Sequence, residues 1–127
     1  MKNFLFFAVL CFLSVNSLRA QTKEEANYLK VIALSLPDQY IKSNSELFFT
    51  IQIGAYQNEN KTLETLANVT TTKEDTLNKY RLGEFLTYKE AVEYKNMLLS
   101  VCNDAFIVPI KNGKRIHIKE ALKLGAI

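Results

Sequence analysis

The sequence predicts an α+β domain, and three observations carry that expectation. Ile51-Gln52-Ile53-Gly54-Ala55-Tyr56 and Tyr80-Arg81-Leu82-Gly83-Glu84-Phe85 share one shape: apolar residues around a polar one, then glycine, any residue and an aromatic. Gly54 and Gly83 lie 29 positions apart, and helical and then β-type patterning follows each. Asn112-Gly113 then marks a tight hairpin turn. Two βαβ halves in series are the plan of the ferredoxin-like split βαβ. That fold has an antiparallel sheet with both helices on one face, here extended by a C-terminal β-ribbon.

Residues 1–20 read as a secretory leader. Lys2 precedes the apolar run Phe4 to Val15, and Ala20 before Gln21 suits cleavage. The run is shorter than the roughly 20 apolar residues that span a bilayer. Cys11 lies inside it without the small preceding residue that lipidation wants. The leader carries Lys2 and Arg19 and no acid, so its removal lowers the formal charge from +3 to +1. A concentrated positive field of the kind that binds nucleic acid is therefore not expected. An exported, periplasmic protein is expected, with no membrane association once the leader is gone.

Residues 21–46 form a helical segment or linker. Leu29, Ile32, Ala33 and Leu36 follow helical spacing, and Pro37 and Lys42-Ser43-Asn44-Ser45 end the run. The segment reads equally as a helix docked on the domain or as a loose spacer. The main domain is expected over 47–118. Phe49, Ile51 and Ile53 alternate with Thr50 and Gln52 as a half-buried strand that Gly54 ends. A short helix falls within 58–68, and Val69-Thr70-Thr71-Thr72 reads as a weak second strand. Lys73 to Asn78 reads as a polar turn, and Lys79-Tyr80-Arg81-Leu82 as a third strand. Thr87 and Glu90 make a capping box for a helix with Ala91, Tyr94, Leu98 and Val101 inward. Ala105 to Val108 is a strand apolar on both faces, and Lys114 to His117 fold back on it. Residues 119–127 form a C-terminal tail with a final helical turn.

In this arrangement the first and third strands are central. Phe49, Ile51, Ile53, Tyr80 and Leu82 face the helices, so Thr50, Gln52, Lys79 and Arg81 face away. An antiparallel sheet can leave that second face in water. Gln52 and Arg81 should then be neighbours at the middle of an open platform, as a site or as ordinary solvated positions.

The two half-motifs, with Thr87-Tyr88-Lys89-Glu90-Ala91 and Asp104-Ala105-Phe106-Ile107-Val108, resemble a SPOR (sporulation-related repeat) domain across about residues 48–110. The leader and the Asn-Gly ribbon look like SPOR proteins of the Bacteroidetes type. The resemblance implies binding of peptidoglycan, with glycan strands stripped of their stem peptides preferred, through the open sheet face. Thr50, Gln52, Lys79, Arg81 and Phe106 are the glycan-binding candidates that follow. The chemistry suits them: an amide that both donates and accepts, a hydroxyl, a planar guanidinium and a ring for stacking. The other reading is a cell-envelope adaptor that keeps the fold, binds a protein partner and has lost the glycan.

Enzymatic chemistry is not expected. His117 is the one histidine, and no Cys-x-x-Cys, phosphate loop or Gly-x-Ser-x-Gly occurs. Glu74-Asp75 read as solvated acids, and Glu84 as a lone acid beside the platform. Cys102 reads as a small buried hydrophobe. No metal site and no cofactor are expected.

Overall fold

The computed structural model describes residues 23–127; the expected leader, residues 1–20, lies outside them. The fold is α+β, with one five-stranded antiparallel sheet. The strands are β1 (Leu47–Tyr56), β2 (Val69–Glu74), β3 (Leu77–Phe85), β4 (Phe106–Lys111) and β5 (Lys114–Arg115). They lie in the order β2-β3-β1-β4-β5. The helices are α1 (Lys23–Leu34), α2 (Lys61–Glu64), α3 (Tyr88–Leu98) and α4 (Ile118–Lys123), with a 3-10 turn at Asp38–Tyr40.

The alternation in β1 and β3 sets the core. Phe49, Ile51, Tyr80, Leu82 and Phe85 are all fully buried, together with Ala91 and Leu98 of α3. The capping box opens α3 as its spacing requires: the Glu90 N–H donates to Thr87 Oγ1 (3.2 Å), whose hydroxyl donates to Glu90 Oε1 (2.7 Å). Tyr80 reaches across the core to α2, where its hydroxyl accepts from the Asn60 N–H (2.6 Å) and donates to Glu64 Oε1 (3.2 Å). Burial pushes the Tyr80 phenol above its ordinary pKa, so it stays a neutral donor.

The flanking segments join this core. Leu29, Ile32, Ala33 and Leu36 recur at i, i+3, i+4 and i+7 and are all buried in it, so α1 and the two residues after it are docked on the domain rather than a spacer. The Asn68 amide donates to the Ala33 carbonyl (2.8 Å) and ties the end of α1 to β2. After Pro37 the 3-10 turn lays Tyr40 on Phe85 (ring centroids 4.8 Å) and Tyr94 (5.3 Å). At the other end Ala121 of α4 is fully buried, and the Tyr88 N–H donates to the Ala126 carbonyl (3.0 Å). Residues 119–127 are thus docked on the domain.

Several boundaries differ from the sequence expectation: β3 runs on to Phe85, β4 covers Phe106–Lys111, β5 ends at Arg115, and two further cases show their cause. β1 runs through Gly54 to Tyr56, because the Tyr56 ring folds back over the glycine: a β-carbon there would lie 2.6 Å from Tyr56 Cε2. Gly83 repeats the device, with Phe85 Cε2 at 2.8 Å from the same hypothetical atom and φ at +76°. Gly-x-aromatic is thus a packing unit in both halves, in which a ring covers the strand where the side chain is missing. Each unit sits at a bulge: β1 has one extra residue between Gln52 and Gly54, and β3 has one between Leu82 and Phe85.

The second difference lies at 73–78. Strand pairing continues to Glu74↔Leu77, leaving only Asp75 and Thr76 as the turn, at φ +54° and +65°. Both positive values are what a two-residue hairpin demands, but a β-branched residue tolerates them poorly. Replacing Thr76 by glycine should therefore raise stability by about 0.5–1 kcal/mol. A higher urea midpoint with an unchanged slope is the expected reading.

Candidate functional site

Side chains alternate across a strand, so the register fixes what shares the face away from the helices. Gln52 is paired with Arg81 on one side and Phe106 on the other. Thr70 lies opposite Arg81, Thr72 opposite Lys79, Phe48 opposite Ile110, and Ile110 opposite Arg115. The expected neighbours Gln52 and Arg81 are indeed in contact, with Arg81 Nε donating to Gln52 Oε1 at 3.3 Å.

The platform is not open, which corrects the sequence expectation. Thr50, Gln52, Lys79 and Arg81 are only 4–6% exposed. The cause is the shape of the sheet. Strands twist with a fixed hand, and bulges add local twist and bend. The two bulges at the glycine units lie on the central pair β1 and β3, where a bend has most leverage on the edges. Glu74, at the end of edge strand β2, consequently meets Arg115 of the opposite edge strand β5 at 3.7 Å. Diagonal corners of the sheet close over the face that was expected to lie in water.

Glu74 is the hub of that closure. It accepts from Lys79 Nζ (3.0 Å) and, with both oxygens, from Arg81 Nη2 (3.3 and 3.2 Å). Its pKa is held below the usual carboxylate value, chiefly by the Lys79 hydrogen bond and further by Arg81, against an opposing push from burial. Asp75, 83% exposed, adds a peripheral contact to Lys79 at 3.5 Å. The expectation of two solvated acids thus holds for Asp75 and fails for Glu74. Glu84 is no lone acid either, since its Oε1 accepts the Ser43 N–H at 2.7 Å and pins the chain entering β1.

Above this floor lies a concave trough of about 220 Å³. Its lining includes Phe48, Thr50, Thr70, Thr72, Glu74 and Arg81. The Thr50 hydroxyl donates to the Leu82 carbonyl (3.3 Å) and that of Thr70 to the Arg81 carbonyl (3.4 Å). Each keeps its oxygen lone pairs for an incoming donor. Phe106 faces this side, 40% exposed, and the Arg115 guanidinium sits 5.8 Å over its ring. The register therefore brings together all five candidates from the sequence: Thr50, Gln52, Lys79 and Arg81 in the floor, Phe106 at the rim. Glu74 was missed and Arg115 was not among the five; the coiling of the sheet brings both to the site.

No buried side-chain polar atom among the described residues lacks a partner. The floor is a completed network, and the hydrogen-bonding capacity offered outward lies on the rim. Among the described residues there is no group of three or more His, Cys, Asp or Glu placed to hold a metal ion. His117 caps α4, its Nδ1 accepting the Lys119 N–H at 3.2 Å. No helix of the described residues is long and apolar enough to cross a membrane. Comparison with known proteins finds no matching family model, curated protein or solved structure.

Proposed function

We propose that this chain is an exported, non-catalytic, ferredoxin-like module of SPOR type that binds peptidoglycan, preferring glycan strands stripped of stem peptides. The reading is supported by the strand order β2-β3-β1-β4, which with α2 and α3 as crossovers is that of a split βαβ. The observation that carries the functional part is the trough itself. It is a concave strip of hydroxyls and charged groups lined by Phe48, with the half-exposed Phe106 beside Gln52 on the same face of the sheet. Sugar rings present apolar faces and hydroxyl or acetamido edges, so aromatic walls with hydrogen-bonding groups between them match both. In this reading Gln52, Lys79 and Arg81 hold the shape of the floor, while Thr70, Thr72, Phe106 and Arg115 meet the glycan.

Sedimentation of the purified protein with sacculi tests the reading. Retention on amidase-treated sacculi above that on intact sacculi is expected, and a protein left in the supernatant with both would refute it. One observation favours a protein-interaction adaptor instead. Tyr28, Val31 and Leu34 form an outward apolar stripe on α1, and they are 47%, 58% and 61% exposed. An adaptor would leave sacculi unbound even though the folded chain is intact.

A further inference from the structure

Three cations converge on the Glu74 carboxylate, which lines the trough, and they are not equally committed. Lys79 and Arg81 have side chains 7% and 5% exposed and hold Glu74 at 3.0–3.3 Å. Arg115 is 42% exposed and touches the same carboxylate only at 3.7 Å. Its guanidinium lies over Phe106, 5.8 Å from the ring centroid, which limits where that half-exposed group can go. Asp75 is 83% exposed and touches only Lys79, at 3.5 Å, so of the three cations Arg115 is the least committed to the buried network. Glu84, near the far end of β3, also lines the trough and accepts the Ser43 N–H.

We infer that Arg115, stacked on Phe106, is a specificity residue that captures a carboxylate of the bound glycan. This rests on the glycan reading above and narrows its ligand to an acidic saccharide. Glu74 already shows that a carboxylate fits between these cations, and a second one meets the fork of Arg115 without disturbing the buried Lys79–Glu74–Arg81 network. Glycan strands cut from their peptides regain such a group, because hydrolysis of the amide to the lactyl ether of each muramic acid leaves a free carboxylate. An intact stem peptide replaces that charge by a neutral amide. Arg115 thereby supplies an electrostatic reason for a preference between the two forms, independent of any steric one.

The experiment is a titration of the purified protein with soluble glycan chains from amidase-treated sacculi. A matched sample has its carboxyl groups converted to neutral methylamides. Amidation should weaken binding roughly tenfold, the range of a hydrogen bond to a charged group. Arg115→Gln should weaken binding of the acidic glycan to the same level, and the two changes combined should be no worse than either alone. Equal binding of acidic and amidated chains by the parent protein would overturn the carboxylate assignment and leave the glycan reading standing. So would Arg115→Gln binding the acidic chain as well as the parent does. Failure to bind either sample would overturn the glycan reading and this inference with it. The ligand arm needs no variant, so its result does not depend on how Arg115→Gln folds.

Discussion

Replacing Arg81 by alanine should destabilise the protein by about 2–3 kcal/mol, although the residue was expected to face water. The guanidinium is buried, and its removal strands two groups at once: the Gln52 amide oxygen and the inner side of the Glu74 carboxylate. Breaking a fully buried pair costs about 3–5 kcal/mol; Glu74 is 27% exposed and keeps Lys79, so the lower figure applies. An open platform predicts a change within about 0.5 kcal/mol, so urea unfolding separates the two pictures cleanly. Acid gives a second reading. The folded pKa of Glu74 lies below its unfolded value of about 4.5, so its contribution is present above that value and is lost as pH falls through the lowered one. Arg81→Ala removes two of the influences that lower it, so this acid-dependent loss should shrink in the variant. A parent-like urea midpoint in Arg81→Ala would mean that the edges of the sheet do not close over the face in solution.

The local structure was legible because local rules decide it. The period-two apolar pattern of β1 placed Phe49, Ile51 and Ile53 in the core, where they are 0–8% exposed. The Thr87/Glu90 spacing placed the start of α3, and Asn112-Gly113 placed the turn before β5, with φ +52° and +78°. The Asp75-Thr76 turn was expected within 73–78 but drawn too wide, for the same reason in reverse. It adopts the geometry that Asn-Gly would advertise, with residues that advertise nothing.

What the sequence did not disclose is the coil of the sheet. Alternation assigns Thr50, Gln52, Lys79 and Arg81 to a face and says nothing of whether that face is covered. The covering comes from Glu74 and Arg115, 41 positions apart along the chain, and depends on accumulated twist across five strands. A trace of it was nonetheless present in the internal repeat. Gly-x-aromatic marks the two bulges that bend the central strands, so the motif that suggested the fold is also the seat of its curvature.

The other large effect is expected at Phe85. Its side chain is fully buried and belongs to a three-ring cluster, 4.8 Å from Tyr40 and 5.3 Å from Tyr94 between centroids. It also covers Gly83, filling the space that a side chain there would occupy. Phe85→Ala removes contacts to three elements at once: the bulged part of β3, helix α3 and the segment that leads from α1 into β1. Truncating a buried phenylalanine costs about 3–5 kcal/mol through lost burial and the cavity left behind. The upper part of that range is expected, because Tyr40 and Tyr94 meet each other edge to face at 5.3 Å and cannot both move into the gap. The same loss should loosen residues 37–46, which are otherwise held by the Ser43 N–H to Glu84 bond, by the Asn112 N–H on the Glu46 carbonyl (2.8 Å) and by the Tyr40–Glu90 hydrogen bond. Hydrogen exchange should therefore report faster exchange at the Ser43 amide in Phe85→Ala than in a core variant of matched instability, such as Leu98→Ala on α3. Equal exchange at that amide in the two variants would show that the linker is held independently of the ring cluster.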